Sequence, residues 1–402
     1  MAVTTPHHVP ADVQELIEIV QNAQANGTPL QVMGGDSKQS VGFPHRATTV
    51  ISTLKFDRVI DYDPAELVMT VESGVRLTMI QQLLAQNNQM LAFDPSDFAD
   101  AVGAIAGAST IGGIVAAGLA GSRRLSAGNV RDHVLGFTAV SGRGERFVAG
   151  GRVVKNVTGY DLPKLMCGSW GQLAMLTEIT LKVLPRPRVT LTLSVRGLDD
   201  ELAFTAMTRA VRSQCEVAAA AYLPRGVIDQ QSRTLLRLEG FGPSVESRAR
   251  ALTELLMTVS SGGTIDRASE HESCALWSAI PARLAHADRM VKPVLWRICV
   301  PSTAGVGVCV RLRQLSASFC VDWAGGLMWV RTAADVDGAQ LRNLAESVGG
   351  HATLLDAPVD YRSHMSAQHP ESSGVAALAQ RVKAAFDPAG ILDPLRFAEP
   401  GA

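Results

Sequence analysis

Apolar and polar positions change period several times along the chain, and each change marks an element. In ADVQELIEIVQNAQ, Val13, Leu16, Ile17 and Val20 recur at helical spacing. Residues 11–25 therefore predict an amphipathic helix, followed by a strand at Leu30–Met33. TTVISTL and FDRVIDYDPAELVMTVESG alternate with period two, and the Pro-containing break in the latter predicts a hairpin. Leu77, Ile80, Leu83 and Leu84 return to helical spacing and stop near QNNQ. HVLGFTAVSGRGERFVAGG predicts another hairpin, and AMLTEITLKVLPRPR alternates until two prolines end it, which sets a domain boundary near residue 186.

Beyond that boundary the same alphabet is used in a different order. LTLSVRG, a helix from about Asp199, a strand near AAAAYLP, TLLRLEG and the helix SVESRARALTELLMTV form one unit. LWRICVP, the hairpin FCVDWAGGLMWVRT, the helix DVDGAQLRNLAESV and the strand HATLLDAP repeat the theme. These runs predict an antiparallel sheet with helices on one side, of ferredoxin-like character. The chain closes with the helix VAALAQRVKAAFD and then PAGILDP.

Ala101–Gly121 breaks the pattern, because it carries no charge yet thirteen of its 21 residues are Ala or Gly. Such small residues bury too little area for a membrane span, so a tightly turned, buried backbone is expected instead. Within 402 residues there is room for two domains, and a formal net charge of -1 leaves no basic excess for nucleic acid. Six cysteines at irregular spacing, with no C-x-x-C, exclude an obvious iron-sulfur or zinc ligand set. No secretory signal opens the chain, and the thiols are expected to be free in a reducing cytoplasm.

Three glycine-rich stretches carry the candidate chemistry. VMGGDSKQSVG, Val32–Gly42, follows a strand, and consecutive main-chain amides beside small side chains can wrap a phosphate, with Lys38 adding charge. Neither a P-loop nor a G-x-G-x-x-G opening a helix is present, which disfavours nucleotide triphosphatase and Rossmann readings. ASTIGGIVAAGLAGS, 108–122, and GSWGQLAMLTEITLKVLP, 168–185, are likewise too glycine-rich for plain core elements. Together the three suggest one long ligand, its pyrophosphate at the first and flat rings against the others.

GGDSKQSVG, DYDPAELVMTVESGV, STIGGIVAAGLAGSRR, GNVRDHVLG, VVKNVTGYDLPKLMCGSWGQLAMLTEITLKVLPRP and FDPAGILDPLRF stand in the order in which they occur in FAD-linked oxidases of the vanillyl-alcohol-oxidase type. The chain resembles that family from about residue 11 to 398, most densely between 95 and 187. Within it, the chain is similar to the FAD-binding subunits of glycolate-oxidising (glycolate dehydrogenase) complexes. The resemblance implies an α+β protein: a two-subdomain FAD-binding domain of the PCMH type at 1–185, an α+β ferredoxin-like cap at 186–370, and a tail at 371–402 returning to the first domain. It implies that Gly34, Gly35, Asp36, Ser37 and Lys38 hold the FAD pyrophosphate. Ser109, Thr110, Gly112, Gly113, Ala116, Ala117 and Gly118 would line the flavin, with Gly168, Ser169 and Gly171 shaping the neighbouring wall. Members that tether flavin through the first loop carry histidine where Asp36 stands, so FAD is expected to be non-covalent.

The resemblance also implies partners: a D-type flavin subunit, an iron-sulfur subunit and a small 2-hydroxy acid such as glycolate. Electrons would pass from the flavin to a partner rather than to NAD, in the cytoplasm or at the inner face of the cell membrane, reached only peripherally through partners. The H-G-D-G-N-x-H cap motif of the related D subunit is missing, GGHATLL being the closest stretch, so no catalytic residue is assigned. Candidate substrate clamps are Arg297, which interrupts the apolar strand LWRICV, and Arg123 with Arg124. An arginine in a half-buried strand can equally pair with a structural acid. Tyr160 and Asp161 could face the flavin or fix their own loop. Alternatives are a self-sufficient FAD-dependent hydroxy-acid oxidase and a flavin-free scaffold subunit.

Overall fold

The computed structural model describes residues 6–44, 49–152, 159–227, 230–259, 263–278, 280, 284, 289–394 and 396–397. The first helix, Val13–Asn26, starts where the Asp12 side chain accepts the Glu15 amide and ends at Gly27, whose φ of 62° supplies the left-handed cap. It buries Leu16, Val20 and Ala23 against Leu30, Ile51, Ile391 and Leu392. The strand Leu30–Met33 lies parallel to Thr49–Ser52.

A five-stranded antiparallel sheet follows, built in spatial order from Val59–Asp63, Val68–Glu72, Ala174–Lys182, Val134–Ser141 and Arg146–Gly150. Alternation puts Met69, Val71, Phe137, Ala139, Ile179 and Leu181 into one core with Ile80 and Leu84 of the helix Leu77–Gln86. The Ala/Gly stretch folds into two short helices, Ala99–Val102 and Ile111–Ala117, joined by turns. Among the described residues no helix is long and apolar enough to cross a membrane.

Residues 189–356 form an eight-stranded antiparallel sheet made of two β-α-β-β-α-β units. The first runs Val189–Arg196, Asp200–Arg212, Ala219–Leu223, Arg233–Gly240, Gly242–Met257 and Ile265–Ala268. The second runs Val294–Cys299, Gly305–Gln314, Ser318–Asp322, Leu327–Thr332, Gly338–Glu346 and His351–Asp356. In each unit the strands lie in the order fourth, first, third, second, which is the ferredoxin-like arrangement. The units join where Tyr222 pairs with Val321. The helices bury Ala203, Met207, Ala249, Leu252, Leu312 and Leu341 in one continuous core. The strand Ile265–Ala268 and the helix Glu270–Ser278 were not predicted. One is a short, half-polar edge, and EHESCALWS has almost no apolar stripe, so neither leaves a periodic signal.

The closing helix, Ser373–Phe386, delivers the tail to the first unit of the chain. Leu30 donates to Ile391 O at 2.8 Å and Asp393 donates to Leu30 O at 2.7 Å. Lys383 Nζ fastens the joint, reaching Gln172 O, Leu392 O and Asp387 Oδ2 at 2.5 to 2.7 Å. The two sheets meet through Phe98, whose ring lies 5.2 Å from that of Trp329, and through Ser122, whose hydroxyl donates to Asp322 at 2.6 Å.

Candidate functional site

The glycines at 34 and 35 are explained first by a neighbouring loop. A Cβ on Gly35 would lie 1.5 Å from the Ala108 carbonyl oxygen, and one on Gly34 would lie 2.5 Å from Thr110 Oγ1. The turn after Leu30–Met33 and the loop before Ile111–Ala117 therefore touch main chain to main chain. Arg76 Nη1 also donates to Ala108 O, and Asp97 accepts the amides of Gly107 at 2.6 Å and Ser109 at 3.1 Å. The third stretch closes on the second in the same manner. Gly118 stands against Gly168, and Trp170 donates its amide to Ala116 O at 2.9 Å.

These contacts enclose a small cavity of about 100 Å³ walled by Gly34, Gly35, Asp36, Ser37, Lys38, Thr110, Gly112, Gly113, Ala116 and Gly171. Main-chain N–H groups from Gly34 to Lys38 have no protein acceptor among the described residues. Five consecutive donors left unpaired at the rim and wall of a cavity can converge on an acceptor from outside the chain. The helix Ile111–Ala117 offers less, because the Gly112 amide already donates to Ser73 O and the Gly113 amide to Thr110 Oγ1. Lys38 adds a buried ammonium whose hydrogen bonds go to two hydroxyls, Ser37 Oγ at 3.1 Å and Ser109 Oγ at 3.4 Å. Burial lowers its pKa to about 8, with Asp97 opposing. Free amides and a poorly compensated cation fit a pyrophosphate.

Asp36 adopts φ 59°, and burial raises its carboxyl while Arg396 pulls the other way. Arg396, Trp170, Thr53 and Ser73 also wall the cavity, although sequence reading did not select them. Arg396 comes from the tail, and no local motif announces it. Ala117, Gly118, Gly168 and Ser169 do not line it. Ser169 Oγ donates to Met166 O at 2.8 Å.

Ser109 faces a larger cavity of about 620 Å³ that lies between the two sheets. Its near side is Leu77, Gln81, Asp97, Phe98 and Gly121; its far side is Trp277, Trp329, Arg237 and Asp322. Arg123 lines it too, but as a paired cation, 2.7 Å from Glu239 Oε1. Arg237 Nε lies 2.5 Å from the same oxygen, without the angle of a hydrogen bond, and its Nη1 is 3.4 Å from Asp94. Two guanidiniums on the cavity wall thus share one largely covered carboxylate behind it. Asp322 accepts from Ser122 and from the Trp323 amide, and burial raises its pKa to about 7.

Arg297 lies outside both cavities, 5.1 Å from the centre of the Trp323 ring. Tyr160 is 90% exposed and lines neither. Asp161 caps the helix Leu162–Met166 by accepting the Lys164 amide. Lys155 and Asn156 of the same run lie outside the described residues. Among the described residues no group of His, Cys, Asp and Glu is arranged to hold a metal ion.

An FAD-linked oxidoreductase is the class this arrangement defines, and residues 8–150 match the FAD binding domain family. The chain is 33% identical over 385 residues to glycolate oxidase subunit GlcE of Escherichia coli K12, covering 96% of this chain and 97% of that protein, and it belongs to that family. Glycolate oxidase subunit GlcD of Bacillus subtilis is 26% identical over 233 residues, 58% of this chain and 46% of GlcD. Among solved structures, alkyldihydroxyacetonephosphate synthase shares the fold, with a TM-score of 0.70 at 16% identity over 96% of this chain and 75% of that one.

Proposed function

We propose that the chain is the FAD-carrying subunit of an assembly that oxidises a small 2-hydroxy acid such as glycolate, and that its electrons leave to a partner rather than to NAD. The observation that carries this reading is the run of five unpaired amides from Gly34 to Lys38, beside the buried Lys38 ammonium. These residues hold the pyrophosphate, with Asp36 offering no nucleophile for a tether, so the FAD is non-covalent. Ser109, which bonds to Ser37 of the cradle and lines the larger cavity, would stand beside the flavin. Bound FAD supplies a two-electron acceptor for the carbon-hydrogen bond of the hydroxy acid.

Residues on the cap side then do the rest. Arg237, held by Glu239 and Asp94, offers its guanidinium to a substrate carboxylate. Asp322, whose proton is balanced near neutral pH, holds or takes a proton at its carboxyl oxygen. Trp277 and Trp329 exclude water from the far wall. The relatives are named as subunits E and D of glycolate oxidases, which supports a multi-subunit assembly; its other members would be a D-type flavin subunit and an iron-sulfur subunit, with any membrane attachment made through them at the inner face of the cell membrane.

The purified chain tests this directly. It is expected to be yellow, to release its flavin into the filtrate on denaturation, and to bleach with glycolate only when the partner subunits are added. Bleaching by glycolate alone would make it a self-sufficient oxidase. A folded, colourless chain that cannot be loaded with FAD yet still binds its partners would make it a scaffold.

A further inference from the structure

Trp323 occupies the turn between the strands Ser318–Asp322 and Leu327–Thr332, where it and Ala324 both adopt φ 52°. Two successive non-glycine residues in the left-handed region are held only when their surroundings fix them. The indole N–H donates to Gly121 O at 3.0 Å, which fastens the ring to the FAD-binding half. Two guanidiniums then use this one ring. Arg124 lies 4.2 Å from its centre and Arg297 lies 5.1 Å from it. Arg124 comes from the FAD-binding half and Arg297 from the cap strand Val294–Cys299.

Neither guanidinium has a hydrogen bond or a carboxylate within ion-pair distance among the described residues. Arg123, the residue beside Arg124, shows the contrast, since it is buried on Glu239. His351 and His369 stand close by, with ring centres 6.5 Å apart. His351 is pushed down by burial first, then by Arg297, His369 and Arg124. Arg124 is lowered by burial and by Arg297, with Arg131 opposing protonation and Cys299 and Asp132 supporting it. Like charges are therefore held together by an aromatic ring with almost no counter-charge. An anion joining the cluster would relieve the repulsion that solvent does not screen.

We propose that Arg124, Arg297, His351 and His369 around Trp323 form an anion site, distinct from the cofactor cradle and the larger cavity, that binds the carboxylate of a small organic acid. Planar guanidiniums match a carboxylate in two-pronged geometry. Trp323 is buried while Arg124 and His351, partly covered, still reach solvent, so the entrance suits a small acid. The ligand would tie the two halves of the chain together across the Gly121–Trp323 bond, next to the Ser122–Asp322 pair on the cavity wall. The inference does not rest on the proposed reaction, and its test needs neither turnover nor flavin reduction.

The full chain, with and without FAD, is titrated with malonate, glycolate and inorganic phosphate at constant ionic strength against sodium chloride. The His351 ring proton is followed by NMR. A carboxylate is expected to saturate and to raise the His351 pKa, because an added negative charge favours the imidazolium. Arg124→Gln, on an exposed side chain, and Arg297→Gln are each expected to weaken binding at least tenfold while leaving the flavin spectrum unchanged. Several results would overturn the proposal: a shift no larger than chloride gives, an equal shift in Arg124→Gln, binding of phosphate but no carboxylate, or a response only to a partner protein.

Discussion

The small cofactor cradle and the cap wall of the larger cavity are made differently. On the FAD-binding side, main chain does the work: glycines bring the 34–38 turn against the 108–110 loop, and amide hydrogens are left facing a cavity. On the cap side, side chains do it: Trp277, Trp329, Arg237 and Asp322 project from one helix and three strands spread along the chain. A backbone site demands local absence of side chains, which leaves a motif. A side-chain site demands only that distant residues arrive together, which leaves none.

The sharpest way to break this contrast is Gly35→Val. Its new side chain would meet the Ala108 carbonyl, so a destabilisation of about 3 kcal/mol or more is expected from overpacking, with loss of bound FAD. Thermal melting and flavin content measure it. On the cap wall, Arg237→Met leaves Glu239 with Arg123 as its remaining partner. The expected cost is about 2 kcal/mol, below the ~3–5 kcal/mol of a buried pair broken outright. Flavin should stay bound while the substrate KM rises about tenfold, a split that a purely structural role for Arg237 would not produce.

Lys38→Met removes the buried cation from the cradle and is expected to weaken FAD about tenfold, roughly 1.4 kcal/mol, by equilibrium titration of flavin-stripped protein. Because the free ammonium titrates near 8 and a bound pyrophosphate would raise it, FAD affinity should fall between pH 7 and pH 9 in the parent chain and not in the variant. Asp322→Asn acts on the pH dependence of stability. With a folded pKa raised to about 7 from an ordinary value of 3.8, the folded chain holds more protons than the unfolded one between those values. Stability therefore falls as pH rises through that window, and the asparagine variant should lose this part of the slope. Tyr160→Phe is the smallest: with its side chain on the surface, stability should stay within about 0.5 kcal/mol and flavin content should not change.

Legibility followed the same division. The hairpins, the ferredoxin-like cap units and the closing helix were readable because their apolar residues repeat at two or at three to four. The edge strand Ile265–Ala268 was not, being short and half polar. Of the candidate residues, Gly34–Lys38, Thr110, Gly112, Gly113, Ala116 and Gly171 are brought to one cavity. Arg396 joins them only because Leu30 pairs with the tail. Arg123 and Arg297 looked alike in the sequence as arginines beside apolar runs. Glu239, 116 residues away, occupies the first, and Trp323 holds the second.

The cradle itself can be watched. Flavin-stripped, isotope-labelled protein is titrated with FAD while the backbone amide signals of Gly34, Gly35, Asp36, Ser37 and Lys38 are followed by NMR. Large downfield shifts of these amide protons, complete at one equivalent, are the predicted result. FAD that binds without moving them, or fails to bind a folded chain, would contradict the account.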